Sequence, residues 1–171
     1  MIKVVLTGSE STGKTELAHR LGDHFGAPVA EEYVRDYAAE RGGTIGFEDH
    51  GPIARGQIAA EDGAIAAAKD LVVLDTDLVS TVVYCEHYFG HCPAWIEKEA
   101  RARAGDLYLL LKPDIPWIAD GVRDRGHRRE EMHDLFKAKL EEMQLRFVDI
   151  GGERDERFSL AVRAIESLVT R

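Results

Sequence analysis

Short apolar runs alternate with longer stretches of helical periodicity along the 171-residue chain. The strand-like runs cover residues 4–6, 28–30, 71–74, 107–111 and 147–150. They are continuous rather than alternating, as expected for strands of a parallel sheet that helices cover on both faces. The pattern therefore predicts an α/β fold with five parallel strands and helices on both sides of the sheet.

Two helical stripes in the C-terminal half are predicted to face the core. Their members are Met132, Leu135, Phe136, Leu140 and Met143 in the first and Phe158, Val162, Ile165 and Val169 in the second. Residues 33–70 are rich in alanine, and the pairs Gly42-Gly43 and Gly51-Pro52 are predicted to break them into at least two helices. Without a repeat or a linker, residues 1–171 are predicted to form a single domain.

The composition is that of an ordinary globular protein, with 44% hydrophobic and 31% charged residues. No apolar run is long enough to span a bilayer, no basic segment precedes the first apolar run, and the chain has only two cysteines. We therefore expect a cytoplasmic protein without a membrane partner. A formal net charge of −9 opposes close approach to a polyanion, so a nucleic-acid partner is not expected either. The sequence leaves the oligomeric state open.

A phosphate-binding loop follows the first apolar run. Residues 8–15, G-S-E-S-T-G-K-T, match the pattern G-x-x-x-x-G-K-[ST] between a predicted strand and a predicted helix. Backbone N–H groups and the helix dipole favour an anion there, while Lys14 reaches the outer phosphates and Thr15 offers a hydroxyl to Mg²⁺. The predicted ATP-binding residues are Gly8, Ser9, Glu10, Ser11, Thr12, Gly13, Lys14, Thr15 and Glu16.

The third strand ends in two carboxylates, Asp75 and Asp77, within L-V-V-L-D-T-D. Ligands bind at the carboxyl edge of such sheets, and the segment resembles a Walker B element. Asp75 is predicted to hold Mg²⁺ and Asp77 to face the acceptor of a phosphoryl group. Capping of the next helix is the competing interpretation of Asp77.

The second strand leads into E-E-Y-V-R-D-Y, residues 31–37. A carboxylate here, Glu32 or Asp36, could take the proton of an acceptor hydroxyl, and Arg35 could hold a substrate oxygen or the transferred group. Tyr33 would line the same site. The alternative is a solvated helix start with favourable acids at its N-terminus.

A loop with two prolines and two glycines follows the fourth strand at residues 113–126. Its composition predicts a lid, with Trp117 offering a flat face to a ring. Arg123, Arg125, Arg128 and Arg129 offer positive charge to phosphates. A core tryptophan beside a solvated charged loop is the alternative.

A group of two cysteines and two histidines does not have the spacing of a zinc site. Cys85, His87, His91 and Cys92 match none of the usual patterns, and Cys85 and His87 fall on different sides of a helix. Burial of the cysteines near a helix end is the favoured interpretation.

Four elements together resemble the ribosylnicotinamide kinase domain of NadR-type NAD-salvage proteins over nearly the whole chain. They are G-S-E-S-T-G-K-T, E-Y-V-R-D-Y, L-D-T-D and P-W-I-A-D-G-V-R, in that order. The resemblance implies a P-loop kinase-like fold that uses ATP and Mg²⁺ to phosphorylate the 5′-hydroxyl of nicotinamide riboside.

Residue by residue, the resemblance implies three groups of site residues. Residues 8–15 and Asp75 would bind ATP and Mg²⁺. The acceptor would meet Glu32, Arg35, Asp36, Asp77, Trp117 and Asp120. Arg123 would join Arg125, Arg128 or Arg129 in the lid.

NadR-type proteins can also carry a DNA-binding segment and a nucleotidyltransferase domain. Because the chain has no H-x-G-H signature and is short, we expect the reaction to stop at the mononucleotide. Three alternatives stay open at this point: another nucleoside 5′-kinase, a regulatory ATPase switch and a polynucleotide 5′-kinase, the last disfavoured by the charge.

Overall fold

A five-stranded parallel sheet organises the chain. The computed structural model describes residues 1–115 and 128–170. The strands are Ile2–Thr7 (β1), Val29–Ala30 (β2), Leu71–Asp75 (β3), Leu107–Leu111 (β4) and Phe147–Ile150 (β5). Their order in the sheet is β2-β3-β1-β4-β5, and every neighbouring pair is parallel. The predicted α/β fold with five parallel strands is therefore confirmed.

Helices lie between successive strands, and one more helix follows the last strand. They are Lys14–Phe25 (α1), Tyr33–Glu40 (α2), His50–Ala67 (α3), Leu78–Phe89 (α4), Ala94–Ala102 (α5), Arg129–Glu142 (α6) and Arg154–Val169 (α7), with a 3₁₀ turn at Phe47–Asp49. None of the helices in residues 1–115 and 128–170 combines the length and the apolar composition that crossing a bilayer requires.

Two apolar layers form because successive strand residues point to opposite faces of the sheet. On one face, Val5, Leu74 and Tyr108 pack with α3, α4, α5 and α6. On the other face, Val4 and Leu109 pack with α1 and α7. Both faces are covered, as the continuous apolar strands predicted.

Three details of the predicted pattern are wrong. Gly51-Pro52 does not break a helix but lies in the first turn of α3, where the missing N–H of proline is tolerated. Leu135 and Val169 belong to the predicted core stripes, yet they are 36% and 60% exposed. Leu135 faces outward beside the buried Phe136, and Val169 is the last residue of α7.

The central position of β1 decides where the site forms. Its partners are β3 on one side and β4 on the other. Leu6 pairs with Asp75, so the loop after β1 emerges next to the acid that ends β3. Strand order thus brings the two predicted nucleotide-binding elements together at the carboxyl edge of the sheet.

Candidate active site

The phosphate loop depends on glycine at both ends. A Cβ on Gly8, whose φ is +135°, would lie 2.8 Å from the carbonyl oxygen of Leu111 in β4. Gly13 adopts a φ of +83° and is the N-cap of α1, which begins at Lys14. Both conformations favour glycine, and together they place the N-terminus of α1 at the loop.

Lys14 lies inside the loop rather than in solvent. Its side chain is 6% exposed, and its Nζ donates to the carbonyl oxygens of Gly8 at 3.1 Å and Ser9 at 2.7 Å. A buried ammonium in a ring of backbone dipoles is preorganised for an anion. The predicted arrangement for the outer phosphates of a nucleotide is therefore present.

Thr15 and Asp75 bring two hard oxygen donors together. Thr15 Oγ1 donates to Asp75 Oδ2 at 2.6 Å, while Asp75 Oδ1 is buried and has no hydrogen-bond partner among the described residues. Burial, aided by the nearby Glu32 carboxylate, raises the pKa of Asp75, and the hydroxyl of Thr15 opposes that shift. A hydroxyl and a carboxylate with an unsatisfied oxygen fit Mg²⁺, which prefers oxygen ligands.

A cavity of about 530 Å³ opens beside this loop between α2, α3 and α4. Its lining is mixed, with charged groups near the loop and aromatic and aliphatic groups elsewhere. The lining residues are Gly8, Glu10, Lys14, Glu32, Val34, Arg35, Ala38, Gly43, Ile45, His50, Ile53, Gln57, Thr76, Ser80, Thr81, Tyr84, Tyr88 and Phe89. Its volume suits a nucleoside-sized ligand.

Helix α4 supplies an aromatic wall of this cavity. The rings of Tyr84 and Tyr88, one helical turn apart, are stacked with an interplanar angle of 8° and centroids 6.1 Å apart. Phe89 follows directly and packs edge-on against His50 of α3. Flat apolar faces of this kind bind planar rings.

Glu32 and Arg35 form the wall next to the phosphate loop. Arg35 Nη2 lies 3.4 Å from Glu32 Oε2 and 3.3 Å from Thr15 Oγ1. The guanidinium therefore connects the predicted metal-binding hydroxyl with a carboxylate that lines the cavity. Both residues line the cavity, and their roles toward the acceptor stay predictions.

Asp77 is buried at the start of α4, and both of its carboxylate oxygens accept hydrogen bonds. It is 4% exposed, its Oδ1 accepts a hydrogen bond from the backbone N–H of Val79 at 3.0 Å, and its Oδ2 accepts one from Tyr108 Oη at 2.6 Å. Burial raises the pKa of Asp77 to about 6. The carboxyl caps α4, as the capping interpretation predicted, and a role of Asp77 toward the acceptor stays a prediction.

Three further residues lie away from the cavity. Asp36 is exposed on α2 and is not part of the lining. The Tyr33 ring instead covers Gly56, where an added Cβ would lie 2.0 Å from it. Glu16 is exposed and pairs with Arg154 at the start of α7. None of the three residues lines the cavity, so the acceptor roles of Asp36 and Tyr33 and the nucleotide contact of Glu16 stay predictions.

Arg129, although far along the chain, contacts the phosphate loop. Arg129 Nη1 donates to the carbonyl oxygen of Ser11 at 3.2 Å, whereas Arg128 is exposed. The predicted roles of Trp117, Asp120, Arg123 and Arg125, and the lid itself, lie outside the described residues.

Arg157 of α7 makes more hydrogen bonds to this region than Arg129 does, and the sequence analysis did not predict its role. Its guanidinium donates to the carbonyl oxygens of Thr12 at 2.7 Å, Lys112 at 2.8 Å and Gly152 at 2.8 Å, and it pairs with Asp114. It is 5% exposed. One buried side chain thus joins the phosphate loop to the loops after β4 and β5.

The cysteines and histidines considered as zinc ligands lie at and just after the C-terminal end of α4. Cys85 is fully buried, and its Sγ donates to the carbonyl oxygen of His91. Burial raises the pKa of both Cys85 and Cys92, which disfavours the thiolate that a metal requires. In the described part of the chain, no three His, Cys, Asp or Glu side chains converge on a common point.

The sequence matches a known protein family over most of its length. The family model described as an AAA domain, AAA_28, matches residues 3–157. The chain belongs to this family. The phosphate loop, the Asp75 strand and Arg157 all lie inside the matched region.

The chain is also homologous to NadR. It is 32% identical over 97% of its length to the trifunctional NAD biosynthesis/regulator protein NadR of Escherichia coli strain K12, and the match covers 42% of that protein. The chain thus spans less than half the length of this curated relative. The resemblance read from the four sequence elements is confirmed.

Solved structures agree with this family. A crystal structure of NadR protein in complex with NR matches with a TM-score of 0.78 and 27% identity, covering 97% of this chain and 49% of that one. A thymidylate kinase from Ehrlichia chaffeensis matches with a TM-score of 0.68 and 14% identity, over 96% and 98% of the two chains. The second likeness shows the shared P-loop kinase fold alone.

Proposed function

We propose that the protein is a nicotinamide riboside kinase, which transfers the γ-phosphoryl group of ATP to the 5′-hydroxyl and forms nicotinamide mononucleotide and ADP. The observation that carries the proposal is the cavity beside the phosphate loop, which has an aromatic wall and opens to Lys14 and Glu32. The homology to NadR and the likeness to NadR in complex with NR support this acceptor.

The donor site follows from the loop geometry. The backbone N–H groups at the start of α1 and the Lys14 ammonium would hold the phosphates of ATP, and Arg157 would keep the loop in shape. Likeness to NadR in complex with NAD and AMP-PNP, at 26% identity and a TM-score of 0.77, supports an adenine nucleotide as donor.

Thr15 and Asp75 would hold Mg²⁺, as their oxygen donors and the unsatisfied Asp75 Oδ1 suggest. When bound, the ion supplies charge stabilisation on the transferred phosphoryl group. Arg35 is placed between this pair and the cavity, so its guanidinium would hold an oxygen of the same group.

We assign the acceptor proton to Glu32, because its carboxylate lines the cavity beside the phosphate loop. The acceptor oxygen forms a bond to the γ-phosphorus, the bond to the leaving ADP oxygen breaks, and the hydroxyl proton passes to the Glu32 carboxylate. Among the predicted acids, Asp36 is exposed and Asp77 has both oxygens occupied. Asp75 would be committed to the metal.

A substrate panel tests the proposal. Purified protein is incubated with ATP and Mg²⁺ and with nicotinamide riboside, uridine, cytidine, deoxyadenosine, thymidine or a 5′-hydroxyl oligonucleotide, and phosphorylated product is quantified. We expect the highest kcat/KM for nicotinamide riboside. A higher kcat/KM for another nucleoside would show that the proposed acceptor is wrong, while the assignment as a kinase would stand. ATP hydrolysis without any acceptor product would instead indicate the ATPase switch.

A further inference from the structure

Glu10 lies in the phosphate loop but does not face the place where phosphates would bind. Its side chain is 6% exposed and lines the cavity next to the aromatic wall. Tyr84 Oη donates a hydrogen bond to Glu10 Oε2 at 3.2 Å. The carboxylate is therefore held by the hydroxyl of an aromatic residue that lines the cavity.

Glu10 has no cationic partner in residues 1–115 and 128–170. The positive groups that share the cavity contact other atoms: Lys14 binds loop carbonyls, and Arg35 binds Glu32 and Thr15. A buried carboxylate without a nearby cation is costly, because it loses hydration and gains little in return. A cationic ligand in the cavity lowers that cost.

The aromatic wall favours the same kind of ligand. Tyr84 donates its hydroxyl to Glu10, and Glu10, Tyr84 and Tyr88 all line the cavity, so a carboxylate and two aromatic rings border one space. Cations bind favourably to the faces of aromatic rings and to carboxylates, and both attractions are stronger in a desolvated cavity. A neutral planar ring would gain only the stacking interaction with the aromatic side chains, without the attraction between a positive charge and the carboxylate.

We propose that Glu10 is a specificity-determining residue that selects acceptors whose ring carries a positive charge. The inference rests on the proposed function, since the pyridinium of nicotinamide riboside is such a ring. It assigns to Glu10 a role separate from the phosphate binding of its neighbours in the loop. Tyr84 is its positioning residue, because its hydroxyl donates a hydrogen bond to one of the carboxylate oxygens.

A matched pair of acceptors tests the charge directly. Nicotinamide riboside is compared with 3-carbamoylphenyl riboside, a neutral analogue in which carbon replaces the ring nitrogen. The kcat and KM for both are measured for the wild type, Glu10→Gln, Tyr84→Phe and the control Glu40→Gln, an exposed acid of α2. Thermal unfolding of each variant establishes that it is folded.

We expect the wild type and Glu40→Gln to favour the cation over the neutral analogue. In Glu10→Gln the ratio of kcat/KM for the cation to kcat/KM for the neutral analogue should fall about ten-fold, as expected for the loss of one charge contact. The fall should come from a higher KM for the cation alone. Tyr84→Phe should produce a smaller fall in the same ratio. The KM for ATP should stay within about two-fold, because the proposal directs the Glu10 carboxylate to the acceptor ring and not to the phosphates.

Three outcomes would overturn the inference while leaving the kinase proposal in place. The first is an unchanged ratio in Glu10→Gln. The second is an equal loss of kcat for both acceptors in that variant, which would give Glu10 a role in the chemical step. The third is an equal rise of both KM values, which would mean that Glu10 determines the shape of the site. Absence of activity on both acceptors in the wild type would instead reject the proposed function, and the inference with it.

Discussion

Thr15 Oγ1 lies 2.6 Å from Asp75 Oδ2, although the two residues come from different βα units. The contact exists because Leu6 and Asp75 are paired in the sheet, so the loop after β1 starts beside the end of β3. Removing the acid should therefore affect metal use more than folding.

Asp75→Asn should lower kcat about 100-fold or more, because the amide cannot offer a second anionic oxygen to Mg²⁺. The Mg²⁺ concentration that gives half-maximal activity should rise in the same variant. Steady-state kinetics across a Mg²⁺ titration measures both effects, with the exposed Asp70→Asn as the matched control. Equal Mg²⁺ curves for Asp75→Asn and the wild type would remove Asp75 from the metal site.

Lys14→Ala should abolish phosphoryl transfer, with a loss of about 100-fold or more in kcat. The ammonium meets charge on the outer phosphates, and its present partners are backbone carbonyls of the same loop. Circular dichroism should show an intact fold. The exposed Lys69→Ala serves as a control, and near-normal turnover in Lys14→Ala would refute the phosphate-loop argument.

Glu32→Gln should lower kcat by about 100-fold to 10,000-fold while KM changes little, as expected when a proton acceptor is lost. Asp36→Asn, one helical turn away and exposed, should keep near-wild-type kinetics. Single-turnover measurement separates the chemical step from product release. A folded but inactive Asp77→Asn beside an active Glu32→Gln would move the proton acceptor to the third strand.

Arg157→Met should raise the KM for ATP and lower the free energy of unfolding by about 3 kcal/mol or more, because buried carbonyl oxygens and Asp114 lose their partner. Chemical denaturation and ATP kinetics on the same preparation measure both changes. Arg163→Met, on the same helix but outside this group of contacts, is the control. Loss of stability with an unchanged KM for ATP would limit Arg157 to a structural role.

Glu61 should make the protein less stable as pH rises. Burial, with the neighbouring Asp77, raises the pKa of Glu61 from 4.5 to about 7, although Arg103 lies 3.2 Å away and opposes the shift. Between those values the folded protein keeps a proton that the unfolded chain has released. Stability is therefore lost as pH rises through this window.

In Glu61→Gln this part of the pH dependence should disappear. The difference in unfolding free energy between wild type and variant should change by on the order of 3 kcal/mol between pH 4.5 and 7.5. Denaturation curves across that range measure the difference, with the exposed Glu40→Gln as control. Parallel curves for wild type and Glu61→Gln would mean that Glu61 is ionised throughout.

Local patterns in the sequence were enough to predict the strands, the phosphate loop and the place of Asp75. Each depends on neighbouring residues and on the rule that ligands bind at the carboxyl edge of a parallel sheet. Asp77 has the same sequence context as Asp75, but only the turn of the backbone into α4 decides that its carboxyl points under the sheet.

Contacts between distant segments were not predictable in the same way. Arg157 and Thr12 are 145 positions apart, and no sequence spacing indicates that they meet. Tyr84 and Tyr88 offered a signal, since tyrosines four residues apart share a helix face directly after the strand that carries Asp75. That signal predicts an aromatic wall only if the face turns toward the loop.

The position of β1 in the middle of the sheet also determines when the loop can exist during folding. Ile2 pairs with Leu71 and Val4 with Leu107, so β1 can find both of its neighbours only after β3 and β4 have been synthesised. Gly8 closes against the backbone of Leu111 in β4. Nucleotide binding is therefore a late event of folding, and ATP should protect from proteolysis only chains that already include β4.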